Sequence, residues 1–294
     1  MNSMRNCPMV LNSTGKTPFI GTSIKLPDAL PKPFTADRML EIFEKACSDE
    51  VDLSALASTS PSVDVVIPHY GDVEDLDLCV STVENDPCVA NTLIIDNNET
   101  NRGFTKAVNE GIRHFRDSGN PYIAVVNNDT EILEGGFAPL VGRMIVSPKA
   151  GIVAPVSVLH SNPDQIQHAG GEQAFPNGVH RSGLRSLGHW DKASRCKWLS
   201  FVVVLIRKEA ILDVGLLDEK MFLIGSDSDY CYRMRYSGWE CWYEPSSVWT
   251  HKCGESSGAT SPESEGVQRL DMFRWYQKWV KPGGMYSELA NEVT

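Results

Sequence analysis

The stretch Tyr122–Glu131, YIAVVNNDTE, constrains the chain most. It opens as an apolar run, Tyr122 to Val126, and turns sharply polar at Asn127-Asn128-Asp129-Thr130. A short β-branched run between turn signals reads as a strand buried on both faces, the habit of mostly parallel sheets. Such sheets bind ligands beyond the carboxyl ends of their strands. The pattern therefore places two amides and a carboxylate at the ligand edge of an α/β sheet. Hard divalent cations take carboxylate and carbonyl oxygens. Magnesium or manganese often keeps only one or two protein ligands while substrate phosphates complete the shell. Asp129 is the first candidate metal ligand. A second reading stands beside it: Thr130 and Glu131 precede a helical pattern, and the polar cluster would then merely cap that helix.

The flanking segments repeat the theme. Val63–Ile67 is an apolar strand stopped by Pro68, followed by the loop His69-Tyr70-Gly71 and a helical pattern over Asp72–Glu84. Thr92–Ile95 is a second apolar strand, closing on Asp96-Asn97-Asn98. Asn101-Arg102-Gly103-Phe104 then leads into a helix over Thr105–Arg116, with Ala107, Val108, Ile112 and Phe115 on one face. Strand, helix, strand, helix, strand predicts an α/β fold. Two successive strands ending in Asp/Asn clusters favour a ligand crevice over accidental capping. Asp96 suits a nucleobase edge or a ribose hydroxyl, with Asn101 and Asn109 supporting its loop; its alternative role is that of a turn residue. No Gly-x-Gly-x-x-Gly and no Walker loop occurs, which argues against dinucleotide dehydrogenases and P-loop enzymes.

Further along, the spacing predicts a helix over Glu134–Val146 and a short strand over Gly151–Pro155. The polar run Ser157–Arg195, with His160, His168, His180 and His189, reads as a long functional loop on the acceptor side. Trp198–Ile206 is the most apolar strand, and Arg207–Val214 opens a helix. Asp227 and Asp229 stand in the first turn of a helix over Asp227–Tyr236, where the macrodipole favours carboxylates. Asp229 and Arg233, four apart, predict an ion pair, which leaves Asp227 to face a cleft as a general base. A strand over Trp239–Tyr243 is expected to end at Pro245. His251 follows Val248-Trp249-Thr250, and two readings hold for it: a nitrogen ligand to the cation at Asp129, or a packed loop histidine. In the tail, Gly266–Gly283, the residues Val267, Leu270, Phe273, Tyr276 and Val280 form one apolar helical face expected to cover the sheet.

Residues 1–60 read as an extension, irregular and rich in Ser, Thr, Asn and Pro, with one helix over Thr35–Ala46; residues 61–294 form the main domain. The net charge of −11 and pI near 5.1 argue against a general nucleic-acid binder, which needs a basic stripe. Eight cysteines without a Cys-x-x-Cys pair indicate neither a zinc knuckle nor a disulfide framework. With no secretory leader read at the start and apolar runs too short to span a bilayer, the expected location is cytoplasmic.

Taken in order, Val65-Val66-Ile67-Pro68, Ile95-Asp96-Asn97, Asn101-Arg102-Gly103-Phe104, Asn127-Asn128-Asp129-Thr130, Gly215-Leu216-Leu217-Asp218-Glu219, Asp227-Ser228-Asp229-Tyr230-Cys231-Tyr232-Arg233 and His251 make the chain resemble the inverting glycosyltransferases of family 2. The rhamnosyltransferase-like branch is the nearest in pattern, and the resemblance runs from residue 63 to the tail helix. It implies a GT-A fold: a Rossmann-like, mostly parallel central sheet with helices on both faces. It also implies a nucleoside-diphosphate-sugar donor, of UDP or dTDP type, and a hydroxyl of a glycan or glycoconjugate as acceptor.

Residue by residue, the resemblance implies that Asp129 and His251 hold Mn2+ or Mg2+ and that Asp227 is the catalytic base. Pro68, Tyr70, Asp96, Asn101, Gly103, Lys106, Asn127 and Asn128 would line the nucleotide-sugar site. A lipid-linked acceptor would bring the protein to a membrane surface, and the oligomeric state stays open. Three departures accompany it: Asn127 stands where many members carry aspartate, Ser226 where the residue before the base is usually acidic, and Phe201-Val202 where a small pair is customary. Two alternatives remain, a non-catalytic nucleotide-sugar-binding module and a sugar nucleotidyltransferase. Against the latter, His69-Tyr70-Gly71-Asp72 lacks a glycine-rich, Lys/Arg-bearing loop.

Overall fold

Successive residues of the first strand enter opposite layers, which is what a strand buried on both faces requires. The computed structural model describes residues 62–175, 178–252 and 262–281, so the expected extension over 1–60 lies outside the described residues. The chain runs β1 (Val63–His69), α1 (Val73–Glu84), β2 (Val89–Asp96), α2 (Phe104–Phe115), β3 (Tyr122–Val126), β4 (Thr130–Glu134), α3 (Ala138–Val146) and β5 (Ala150–Leu159). An excursion follows through β6 (Asn162–His168), β7 (Gly171–Gln173), β8 (Val179–His180), β9 (Gly183–Leu184) and β10 (Ser194–Arg195). The chain returns through β11 (Val203–Arg207), α4 (Lys208–Val214), α5 (Ser226–Tyr236), β12 (Glu240–His251) and α6 (Pro262–Trp279).

The main sheet has the order β10-β12-β5-β11-β3-β1-β2. Strands β2, β1 and β3 are parallel, and β12 is parallel to β5; β11 runs against both β3 and β5, so those five strands share one direction. Val63, Val65 and Ile67 join Ala124 and Val126 beneath Leu76 and Val83 of α1 and Leu140 and Met144 of α3. Val66, Ile123 and Val125 pack on the other side with Val108 and Ile112 of α2 and Tyr230 of α5. Helices thus cover both faces, and the carboxyl ends of β1, β2 and β3 are left side by side. Pro68 does not stop β1: it pairs with Ile95, beyond the last β3 partner Val66, where a missing backbone donor leaves that ladder intact.

Further local expectations are corrected. The run Ser157–Arg195 is not one long loop, since it completes β5 and carries β6 to β10, and the strand expected over Trp198–Ile206 begins only at Val203. Thr130 and Glu131 do not cap a helix. They begin β4, which pairs antiparallel with the end of β12, setting Thr130 opposite His251. The following helix starts at Ala138 rather than Glu134, because Gly135 and Gly136 both take positive φ (73° and 55°) and turn the chain first. Pro245 does not end β12. The register jumps between Glu244 and Val248, so the proline sits in a bulge outside the ladder. The tail helix buries Asp271, Trp275 and Trp279, while Leu270 and Phe273 are 48% and 58% exposed. Its indole rings rest on Tyr232 of α5, with centroids 5.6 and 5.5 Å apart, so partners for the tryptophans and the carboxylate decide the buried face.

Candidate active site

The three strand ends are tied together by their own polar side chains. The Asn97 backbone N–H donates to the His69 carbonyl at 2.8 Å, bridging β1 and β2. Asn98 Oδ1 accepts from the Gly71 N–H at 2.9 Å, and Asn128 Nδ2 approaches His69 Nδ1 at 3.2 Å. Asn97 is buried, and its Oδ1 takes both the backbone N–H and Nε–H of Arg102 at 3.1 and 3.2 Å. Asn101 Oδ1 accepts from the Gly103 N–H at 3.0 Å, so the second loop is held from within. Asp96 stays exposed, and the Asn98 backbone N–H on its Oδ1 holds its carboxyl below the usual carboxylate range. An exposed, ionised acceptor at a strand end is what recognition of a base or a ribose needs.

Gly103 begins α2 with φ 87°, and a Cβ there would lie 2.6 Å from the Phe222 carbonyl oxygen. Gly103→Ala is therefore expected to cost about 1–3 kcal/mol from backbone strain alone, before the collision, and a urea midpoint checks it. A midpoint within error of the wild type would contradict this geometry.

Asp129 and His251 are 7% and 8% exposed and face each other, Oδ1 to Nε2, at 3.3 Å. Gln167 Oε1 lies 2.8 Å from His251 Nδ1 and can only accept, so Nδ1 carries the proton and Nε2 is turned toward Asp129. Neighbouring ligands of an octahedral ion bound at about 2.1 Å are about 3.0 Å apart, so this pair fits a divalent cation. Among the described residues no third His, Cys, Asp or Glu completes a cluster with them. Beside them, Lys252 donates its backbone N–H to the Asp129 carbonyl at 3.2 Å and pairs through Nζ with Asp75.

Asp227 sits in the first turn of α5, opened by Gly225 at φ 78°. Burial pushes its carboxyl up to about 6, against the pull of hydrogen bonds from the N–H groups of Ser228, Asp227 and Phe201. The Ser228 bond measures 2.7 Å. The next residue, Val202, accepts from the Asn127 N–H at 2.8 Å. One dipeptide thus joins the candidate base to the end of β3. Phe201 also packs edge-on against Tyr230 at 6.0 Å, so the bulky pair belongs to the core beneath the site. Asp229 pairs with Arg233 at 2.9 Å, as its spacing predicts.

The remaining candidates are placed as follows. Tyr70 is 43% exposed on the first loop, Pro68 is buried, and Lys106 is exposed on the first turn of α2, where its charge acts on Glu219. Asn109 does not support the Asp96 loop. Its side chain exchanges two 2.9 Å hydrogen bonds with the backbone of Leu217. Sequence reasoning passed over Gln167, Asn97 and Arg102 as site residues. Nothing local marks Gln167, because its partner lies 84 residues away.

A family model described as glycosyltransferase like family 2 matches residues 44–278. An N-acetylglucosaminyl-diphospho-decaprenol L-rhamnosyltransferase, found in two strains of Mycobacterium tuberculosis, is 27% identical over 183 residues, or 54% of this chain. The match spans 58% of the length of those curated relatives. The crystal structure of GalNAc-T7 with UDP, GalNAc and Mn2+ superposes on 84% of this chain and 57% of its own, with a TM-score of 0.54 at 14% identity. That likeness is one of fold, and it agrees with the mostly parallel sheet described above. The family model spans far more than half of the sequence, and the chain belongs to glycosyltransferase family 2, a glycosyltransferase of GT-A fold.

Proposed function

We propose that this glycosyltransferase moves a sugar from a nucleoside-diphosphate-sugar donor to a hydroxyl of a lipid-linked glycan, inverting the anomeric carbon, with Asp227 as general base. The observation that carries the reading is the Phe201-Val202 bridge, which ties Asp227 to Asn127 at the end of β3. Asp227 takes the proton from the acceptor hydroxyl as that oxygen attacks, and burial makes it a stronger base than an exposed aspartate while leaving it ionised at neutral pH. Asp96, Asn101 and the backbone around Gly103 bind and orient the nucleoside, and Asn128 steadies the first loop against the diphosphate end. Asp129 and His251 would hold a divalent cation, which neutralises charge gathering on the leaving diphosphate. The imidazole favours manganese over the harder magnesium. A diphospho-decaprenol substrate in the name of the mycobacterial relatives supports a lipid-linked acceptor.

The test is thermal stabilisation by UDP-, dTDP- and GDP-sugars with and without manganese, since only ligands that prefer the folded state raise the midpoint. One nucleotide class is expected to raise it, and more so with the metal. No shift with any donor would remove the donor assignment. A shift without turnover on any lipid-linked glycan would favour the non-catalytic binding module, in which Asn127 and Ser226 become the decisive departures.

A further inference from the structure

The carboxylate of Asp271, on α6, is wholly buried and accepts three consecutive backbone N–H groups. Phe222 N–H reaches Oδ1 at 2.9 Å, and Leu223 and Ile224 reach Oδ2 at 2.7 and 3.2 Å. A buried carboxylate is costly unless such bonds compensate it, so this one fixes the segment it holds. Directly after that segment Gly225 turns the chain into α5, and Asp227 follows in its first turn. The same helix grips α5 again: Trp279 Nε1 and Lys278 Nζ lie 2.8 and 2.7 Å from Asp229 Oδ1. On the donor side, the Phe222 carbonyl accepts from the Thr105 N–H at 3.5 Å and backs Gly103. Residues 222–229 are therefore held at both ends by α6 and lean on the loop expected to cradle the donor.

We propose that Asp271 is a positioning residue for sugar transfer, fixing the 222–225 segment so that Asp227 is presented at the acceptor. This rests on Asp227 being the base. A matched comparison exists in Asp64, another wholly buried carboxylate, which accepts from Asn91, Ser118 and Asn120 near the amino end of β1, away from the strand ends that form the site.

Asp271→Asn keeps the size of the side chain but turns one acceptor into a donor facing backbone N–H groups. Its kcat per folded molecule is expected to fall by about tenfold or more, with donor KM changed by less than about threefold. The acid limb of its pH–rate profile should move down by about one unit, as water reaches Asp227 through the loosened segment. Among the described residues, the ionisable groups acting on Asp227 include Asp229, itself paired with Arg233 and Lys278, and the Cys231 thiol; both remain in the variant. Asp64→Asn should lose stability while keeping kcat and the acid limb. Matching behaviour of the two variants, with stability lost but kcat and acid limb retained, would overturn the proposal. If Asp271→Asn does not fold, hydrogen exchange on the wild-type protein decides: amides 222–224 should be protected like those of β3, and exchange at the rate of an open loop would dismiss a fixing role. Asp227→Asn, assayed in parallel, separates the two readings, because turnover retained there would condemn the base assignment whatever Asp271→Asn does.

Discussion

Asp227→Asn is expected to lower sugar transfer by about 10²–10⁴-fold while donor binding stays within error of the wild type. The amide keeps the shape of the side chain and still accepts from the Ser228 and Phe201 N–H groups, so the bridge to Asn127 survives. What it loses is the ability to take a proton. In the wild type, activity should fall as pH drops through about 6, where the carboxylate gains its proton. The same environment has a thermodynamic consequence. A carboxyl raised from 3.8 to about 6 in the folded state destabilises the fold once ionised. This penalty is absent below about pH 4, grows between pH 4 and 6, and is complete above. It amounts to at most about 3 kcal/mol, and less here because Asp227 is partly exposed and water screens it. Asp227→Asn should therefore melt higher than the wild type at pH 8 and at the same temperature at pH 4. An inactive variant that also melts lower at pH 8 would mean that Asp227 is a structural carboxylate.

The strands β1, β2 and β3 were readable because burial on both faces leaves an almost unbroken apolar run, and their polar ends announced the crevice. Asp227 stood out because its neighbour Asp229 had a ready partner four residues on, and the 2.9 Å pair with Arg233 agrees. Elements decided by distant partners were not readable. Thr130–Glu134 has no helix-breaking residue of its own, yet it becomes a strand because β12 offers it an edge. The tail helix was judged by its aliphatic stripe, whereas Asp271, Trp275 and Trp279 turn inward because their partners are backbone amides and rings on and before α5. Pro245 misled for the same reason, since the bulge that accommodates it shows only in the pairing with β5.

Asp129→Ala is the second large effect expected, abolishing the manganese-dependent part of donor binding. Two side chains 3.3 Å apart and more than nine-tenths buried either share a cation or form a plain ion pair, and the two cases respond differently to substitution. If the pair holds a cation, Asp129→Ala should lower manganese affinity by about 100-fold or more, measured on the protein without donor, and donors should then stabilise equally with and without the metal. Gln167→Leu should weaken manganese binding by about 10–100-fold while leaving Asp129 and His251 in place, because the carbonyl that fixes the proton on Nδ1 is gone and the imidazole is free to turn. A plain ion pair predicts the opposite for the metal: neither substitution would alter manganese binding, and both would register only as lost stability. That outcome would reassign His251 as a packed histidine, and the diphosphate would then need its countercharge from elsewhere. One source is Lys252, which donates its backbone N–H to the Asp129 carbonyl and would first have to leave Asp75. A Lys252→Met variant with undiminished donor binding, set beside Asp129→Ala with lost metal response, would close that route and leave the carboxylate–imidazole pair as the site of the cation.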